Sequence, residues 1–235
     1  MKLTIIQTGQ VPASLRGRFG PYGAMFETMF ERTGLGFSYE VVRANEGEAL
    51  PDAAGLEGIV VTGSPAGVYE NLPWFAPLRA FIRQGYGNAI PMLGVCFGHQ
   101  IMADALGGQV RKSEKGWGLG RHTYEVTARP RYMLAAPAAL SIACSHQDQV
   151  IVPPSEAEVI MASKFTPNAA LAYRNGAALS LQAHPEFSDD YAMALAELRR
   201  GRAPDAVVET ALQSVATPSD SLAMAGYIGR FFKER

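Results

Sequence analysis

The residues of this sequence best placed to do chemistry are Gly94-Val95-Cys96-Phe97-Gly98, where a thiol is bracketed by glycines between an apolar run and a helical one. The G-x-C-x-G spacing is that of a nucleophile elbow, a strand-to-helix turn that lifts its central side chain above a sheet. The flanking glycines are expected to permit the tight turn. A helix N-terminus also favours the anionic form of a thiol placed there. Cys144, mid-strand between Ala143 and Ser145, lacks such a setting and reads as core.

A thiol nucleophile needs a group that manages its proton and then hands one to the departing atom. Four histidines are available, His99, His122, His146 and His184. His184 ends the apolar run Ala178 to Ala183 and is followed by Pro185-Glu186. In extended backbone, positions 184 and 186 share a face, so the carboxylate of Glu186 can accept from the ring and fix its tautomer. Cys96, His184 and Glu186 therefore form a candidate triad. An α/β-hydrolase places its acid before its histidine, so the chain order here argues against that fold. No two histidines have a chelating spacing and Cys96 has no C-x-x-C partner, so no metal is expected.

A tetrahedral intermediate needs hydrogen-bond donors for its oxyanion. The backbone N–H of Phe97, directly after the nucleophile, is one candidate. Gly63, in Val60-Val61-Thr62-Gly63-Ser64-Pro65, is the other if the third strand lies beside the fourth.

These side chains require a sheet to hold them. Short β-type runs separated by helical stretches predict an α/β fold with helices on a largely parallel sheet. Strands are expected at Leu3 to Thr8, Phe37 to Val42, Gly58 to Thr62 and up to Val95, and helices at Tyr22 to Thr33, Trp74 to Arg83 and Gly98 to Leu106. Beyond Gly108, runs at His122 to Thr127, Leu140 to Ser145, Val159 to Ser163, Ala169 to Tyr173 and Ala178 to Gln182 predict a partly antiparallel second half. From Ser188 the pattern is helical, at Asp189 to Arg200, Ala206 to Val215 and Asp220 to Phe232. The Gly9 to Gly23 loop, with Arg16, Arg18 and Tyr22, is long enough to shape a binding site.

Twenty-one Lys and Arg against 22 Asp and Glu give a net charge of -1, which supplies no field for nucleic acid or anionic membranes. The most apolar stretch, Tyr132 to Cys144, falls short of the ~20 residues of a membrane span. The N-terminus does not read as a signal peptide, and two cysteines exclude a disulfide scaffold, so a reducing cytoplasm is the expected compartment. At about 150 residues per domain the length fits one large or two small domains. Cys96 and His184 must meet, which favours a single domain over 1–235, with a core near 40–190 and helices over about 188–235.

Together the motifs resemble those of the class I, triad-type glutamine amidotransferases. The likeness rests on Gly94 to Gln100, Gln182-Ala183-His184-Pro185-Glu186, Thr62-Gly63-Ser64-Pro65 and Cys144-Ser145-His146-Gln147-Asp148. Within that family the chain is most similar to stand-alone members such as plant γ-glutamyl peptidases, through Gly20-Pro21-Tyr22, Tyr69 to Trp74 and Lys115 to Gly120. The resemblance implies a three-layer, flavodoxin-like α/β/α sandwich with a mostly parallel sheet, a small antiparallel part and a C-terminal helical segment. It implies attack of Cys96 on a γ-glutamyl amide, a thioester, and hydrolysis without a cofactor. It also assigns Gln100, Ser145 and His146 to glutamyl binding.

Departures bear on pathway rather than on chemistry. Ser64 stands where biosynthetic members often have a second glycine, and Ala183 where they have an aromatic. The sequence also has no phosphate-binding loop for ATP-dependent acceptor chemistry. Three functions follow. They are a free-standing hydrolase of glutamine or a γ-glutamyl compound, a glutaminase subunit feeding ammonia to a separate synthase, and a non-hydrolytic redox sensor or chaperone-like protein.

Overall fold

A computed structural model describes residues 1–234; residue 235, the end of the expected helical tail, lies outside the described residues. In chain order the elements are β1 (Lys2–Gln7), α1 (Tyr22–Glu31), β2 (Ser38–Arg43), β3 (Gly58–Val61), α2 (Phe75–Gly87), β4 (Met92–Val95) and α3 (Phe97–Ala105). There follow β5 (Gln109–Lys112), β6 (Gly118–Val126), β7 (Ala139–His146), β8 (Asp148–Val152), β9 (Ala157–Ala162), β10 (Ala170–Tyr173) and β11 (Ala178–Leu181). Three helices close the chain, α4 (Asp189–Glu197), α5 (Asp205–Val215) and α6 (Ser221–Lys233).

Nine strands form one sheet in the order β2-β1-β3-β4-β11-β10-β9-β6-β7. The first five are mutually parallel, and from β11 outward the pairing is antiparallel. Alternation explains the three layers, because successive strand residues face opposite sides. Leu3 and Ile5, Val60, Leu93 and Leu179 pack on one face with Phe26 and Phe30 of α1 and Ile228 and Phe231 of α6. Ile6, Ile59, Val61 and Met92 pack on the other with Leu78 and Ile82 of α2 and Phe97 and Ile101 of α3. Helices α4 and α5 lie against each other and against β6 and β7 at the antiparallel end.

The expected strands and helices are present with shifted ends, and two strands went unread. β5 and β8 pair with each other in a separate two-stranded sheet. That ribbon brings Asp148 near Lys112 and so contributes to the site below. No helix among the described residues is long and apolar enough to cross a membrane.

Candidate active site

The third strand does lie beside the fourth, with Val61 opposite Gly94. This brings the Thr62-Gly63 strand end beside the elbow. Cys96 is the N-cap of α3 and has φ 55° and ψ −102°, a conformation that side chains with a Cβ rarely adopt. The strain therefore sits on the cysteine itself. Gly94 and Gly98 do not have positive φ, which corrects the expectation that they supply the turn. They are needed for close packing instead. A Cβ on Gly94 would meet the Gly98 carbonyl oxygen and Met102 Sδ at 2.5 Å, and one on Gly98 would overlap the Val61 carbonyl. Gly98→Ala is expected to cost about 2–3 kcal/mol, because the obstructing atoms are backbone and cannot yield. A lowered denaturant midpoint with unchanged slope checks this.

His184 is held by its own N–H, which donates to the Ala143 carbonyl of β7 at 2.8 Å. Its Nδ1 lies 2.7 Å from Glu186 Oε1, and the ring shares the wall of one cavity with Cys96. The expected neighbours thus meet, but through a different backbone. Residues 184–187 form a turn closed by Phe187 N–H to the His184 carbonyl at 3.4 Å, and Pro185 supplies the fixed φ that such a turn favours. The turn also stacks Phe187 flat on the His184 ring, centroids 3.8 Å apart and planes 8° from parallel. Phe187 was not among the expected site residues. Burial opposes a charge on His184, but the charges of Glu186 and Cys96 and the hydrogen bond to Glu186 outweigh it and push the imidazolium pKa up to about 10. Both side chains of this pair are buried.

Phe97 begins α3, where a backbone N–H has no intrahelical acceptor. Gly63 is close enough that a Cβ would lie 3.0 Å from His184 Cε1 and 3.7 Å from Cys96 Cβ. Its peptide is fixed through the Thr62 carbonyl, which accepts from Gly98 N–H at 3.1 Å and Thr8 Oγ1 at 2.9 Å. In a trans peptide the N–H of Gly63 then points away from those donors. Thr8 carries no sequence motif, and only the β1–β3 pairing reveals its part.

Two cavities meet at Cys96. The smaller, about 210 Å³, is lined by Gln100, Ser145 and His146 together with Glu70, Lys112 and Asp148. Gln100 donates through Nε2 to the Asp148 carbonyl at 2.9 Å and to Gln182 Oε1 at 3.1 Å, so its side chain is held in place. Ser145 Oγ and His146 Nε2 are buried without a hydrogen-bond partner among the described residues. Burial, with the charge of His122, pushes His146 down to about 3, so this ring is neutral. The larger cavity, about 810 Å³, reaches from Cys96 and His184 to the Gly9–Gly23 loop and the residues after α4. Arg16 lines it, whereas Arg18 stacks over Phe19 and borders a different groove. Among the described residues no group of His, Cys, Asp and Glu side chains could hold a metal ion.

A thiol beside a buried imidazole–carboxylate pair is equipment for acyl transfer. Comparison with known proteins gives the same direction. The model of the glutamine amidotransferase class-I family matches residues 24–193. Gamma-glutamyl peptidase 3 of Arabidopsis thaliana is 26% identical over 73% of this chain and 71% of its own length. The glutamine-hydrolyzing GMP synthase of Aeropyrum pernix is 32% identical over 83% of this chain, but only 39% of that protein is matched. In structure, a glutamine amidotransferase from Thermotoga maritima aligns over 99% of this chain and 98% of its own with a TM-score of 0.78 at 21% identity, a likeness of fold. With the elbow, the His-Pro-Glu turn and the matched residues spanning both, this chain belongs to the class-I glutamine amidotransferase family.

Proposed function

We propose that the protein hydrolyses the γ-glutamyl amide bond of glutamine or a glutamine-like compound, with Cys96, His184 and Glu186 as its triad. The observation that carries this reading is the buried His184 ring, 2.7 Å from Glu186 Oε1 through Nδ1 and lining the same cavity as Cys96. The sulfur attacks the γ-carbonyl carbon, a C–S bond forms, and the C–N bond breaks as His184 gives its proton to the departing amine or ammonia. Water then adds to the thioester carbon, His184 takes its proton, and the C–S bond breaks to release glutamate and restore the thiol. The N–H groups of Gly63 and Phe97 receive the oxyanion in both steps.

The smaller cavity suits the glutamyl end. An α-amino acid group is zwitterionic, and this cavity offers Glu70 and Asp148 carboxylates near the Lys112 ammonium. Gln100 and the Ser145-His146 strand end complete it. Burial pushes the Asp148 carboxyl up, and an ammonium seated beside it would favour its ionised form. The rim arginines of the larger cavity, Arg16 and Arg202, are exposed.

Intact-protein mass spectrometry after quenching with a γ-glutamyl substrate tests this directly. The expected adduct is one glutamyl group, mapped to Cys96. A glutamyl group on another residue, or turnover with no acyl-enzyme and no dependence on Cys96, removes the proposal.

A further inference from the structure

The two cavities at Cys96 differ in charge as well as in size. No carboxylate is among the described residues that line the larger one, whereas Arg16, Arg199 and Arg202 all do. Ammonia needs about the space of one water, roughly 30 Å³. A cavity of about 810 Å³ is far more than that leaving group would use.

Arg199 stands nearest the chemistry, since it lines the cavities on both sides of the thiol. Its guanidinium lies over the Trp117 ring, 4.5 Å from the centroid, and its Nε is buried with no hydrogen-bond partner among the described residues. Glu70 and Asp148 share the smaller cavity with Arg199 but form no ion pair to it among the described residues, and three acids of α4 and α5 are engaged elsewhere. Arg200 takes Glu197 and Glu209, and Arg121 takes Asp189. Arg16 spends its bonds on the neutral Val11 carbonyl and Gln10 side chain. Three arginines thus line one cavity with no anion paired to them among the described residues. Burial is the largest pull on Arg199 and disfavours its charge, and the charge of Arg202 acts the same way, so an incoming anion would relieve both. All three arginines fall outside residues 24–193, the part shared with the family model.

We propose that Arg199, supported by Arg202 and Arg16, reads a carboxylate on the amine that leaves, so that the preferred substrates are γ-glutamyl amides of amino acids or short peptides. The proposal rests on the hydrolase reading above and adds the leaving-group side to it. A planar guanidinium fork stacked on an aromatic ring is suited to bidentate carboxylate recognition, which a lysine would reproduce only in part.

The test compares kcat/KM for γ-glutamyl-glycine and γ-glutamyl-glycinamide, followed by glutamate release, in the native chain and in Arg199→Gln and Arg199→Lys. The native enzyme is expected to favour the carboxylate roughly 10- to 100-fold. Arg199→Gln should bring that ratio toward one, and Arg199→Lys should leave it between the two. Comparing the ratio of the native chain with that of each variant cancels the different intrinsic reactivity of the two amines. If Arg199→Gln fails to fold, the native ratio together with its decline in Arg202→Gln carries the test. A ratio that both Arg199→Gln and Arg202→Gln leave unchanged overturns the proposal. So does an equal loss for both substrates in Arg199→Gln, which would assign this arginine to the glutamyl α-carboxylate. A Cys96 glutamyl adduct formed equally from both substrates would overturn only the leaving-group reading, whereas no adduct from either would remove the hydrolase itself.

Discussion

Cys96→Ala is expected to lower γ-glutamyl amide turnover by roughly 10⁴- to 10⁶-fold, the scale seen when a nucleophile is removed from a concerted triad. The loss should fall on kcat, because the glutamyl pocket keeps Gln100, Ser145 and Asp148 and substrate still binds. The backbone adds a second, less obvious outcome. Alanine keeps a Cβ at φ 55° and ψ −102°, whereas glycine adopts the mirror of an ordinary extended conformation there without penalty. Cys96→Gly should therefore be as inactive as Cys96→Ala yet more stable by about 1 kcal/mol. Glutamate release and urea denaturation of the two variants check both halves. Equal activity of Cys96→Ala and native protein would end the nucleophile assignment, and equal stability of Ala and Gly variants would end the claim that strain is stored at the elbow.

The reason the elbow could be read from sequence is that its constraints are local. Gly94 and Gly98 are demanded by atoms a few residues away or on the adjacent strand, and the apolar run before Cys96 marks the strand that carries it. The parallel half was legible for the same reason, because strands buried on both faces are continuous runs such as Gly58–Val61 and Met92–Val95. The antiparallel half was harder. β6 begins at Gly118, four residues before its expected start, because Gly120 at φ 76° passes against Ala211 and Ser214 of α5, a packing requirement that no pattern announces. β5 is largely exposed and reads Gln-Val-Arg-Lys, with no alternation to betray a strand.

The candidate site divides in the same way. Cys96, His184 and Glu186 carry their chemistry in their residue types and spacing, although the spacing works through a turn rather than through extended backbone. Thr8, Phe187 and Arg199 could not be found that way. Thr8 acts by pinning the Thr62 and Gly63 carbonyls across a strand pair separated by over fifty residues. Phe187 matters because its ring closes one face of the His184 imidazole, and Arg199 because it lines a cavity beside the thiol that holds no carboxylate among the described residues. Each of these roles is a property of what surrounds the residue, which exists only after the chain has folded.

Glu186→Gln isolates the charge of the triad from its shape. The amide keeps an oxygen that can accept from His184 Nδ1–H, and the surrounding turn with Pro185 and Phe187 is untouched. What disappears is the anion that most favours the imidazolium, while the burial that opposes it remains. The His184 pKa should fall from about 10 toward or below its ordinary 6.5, and kcat should fall by roughly 10²- to 10⁴-fold near neutral pH. The pH profile gives the sign. In the native enzyme the ring keeps the proton it donates to the leaving amine until pH approaches 10, so thioester formation holds on the alkaline side. In Glu186→Gln that limb should move to lower pH, as measured by single-turnover amine release across the range. Stability follows the same linkage. A histidine whose folded pKa is raised contributes fully below its unfolded value of 6.5 and loses that contribution as pH rises to about 10. The native protein should therefore lose stability across that window, and the variant should lose less. An alkaline limb unmoved by Glu186→Gln, with the same fall in stability between those pH values, would show that the carboxylate does not hold the proton on His184.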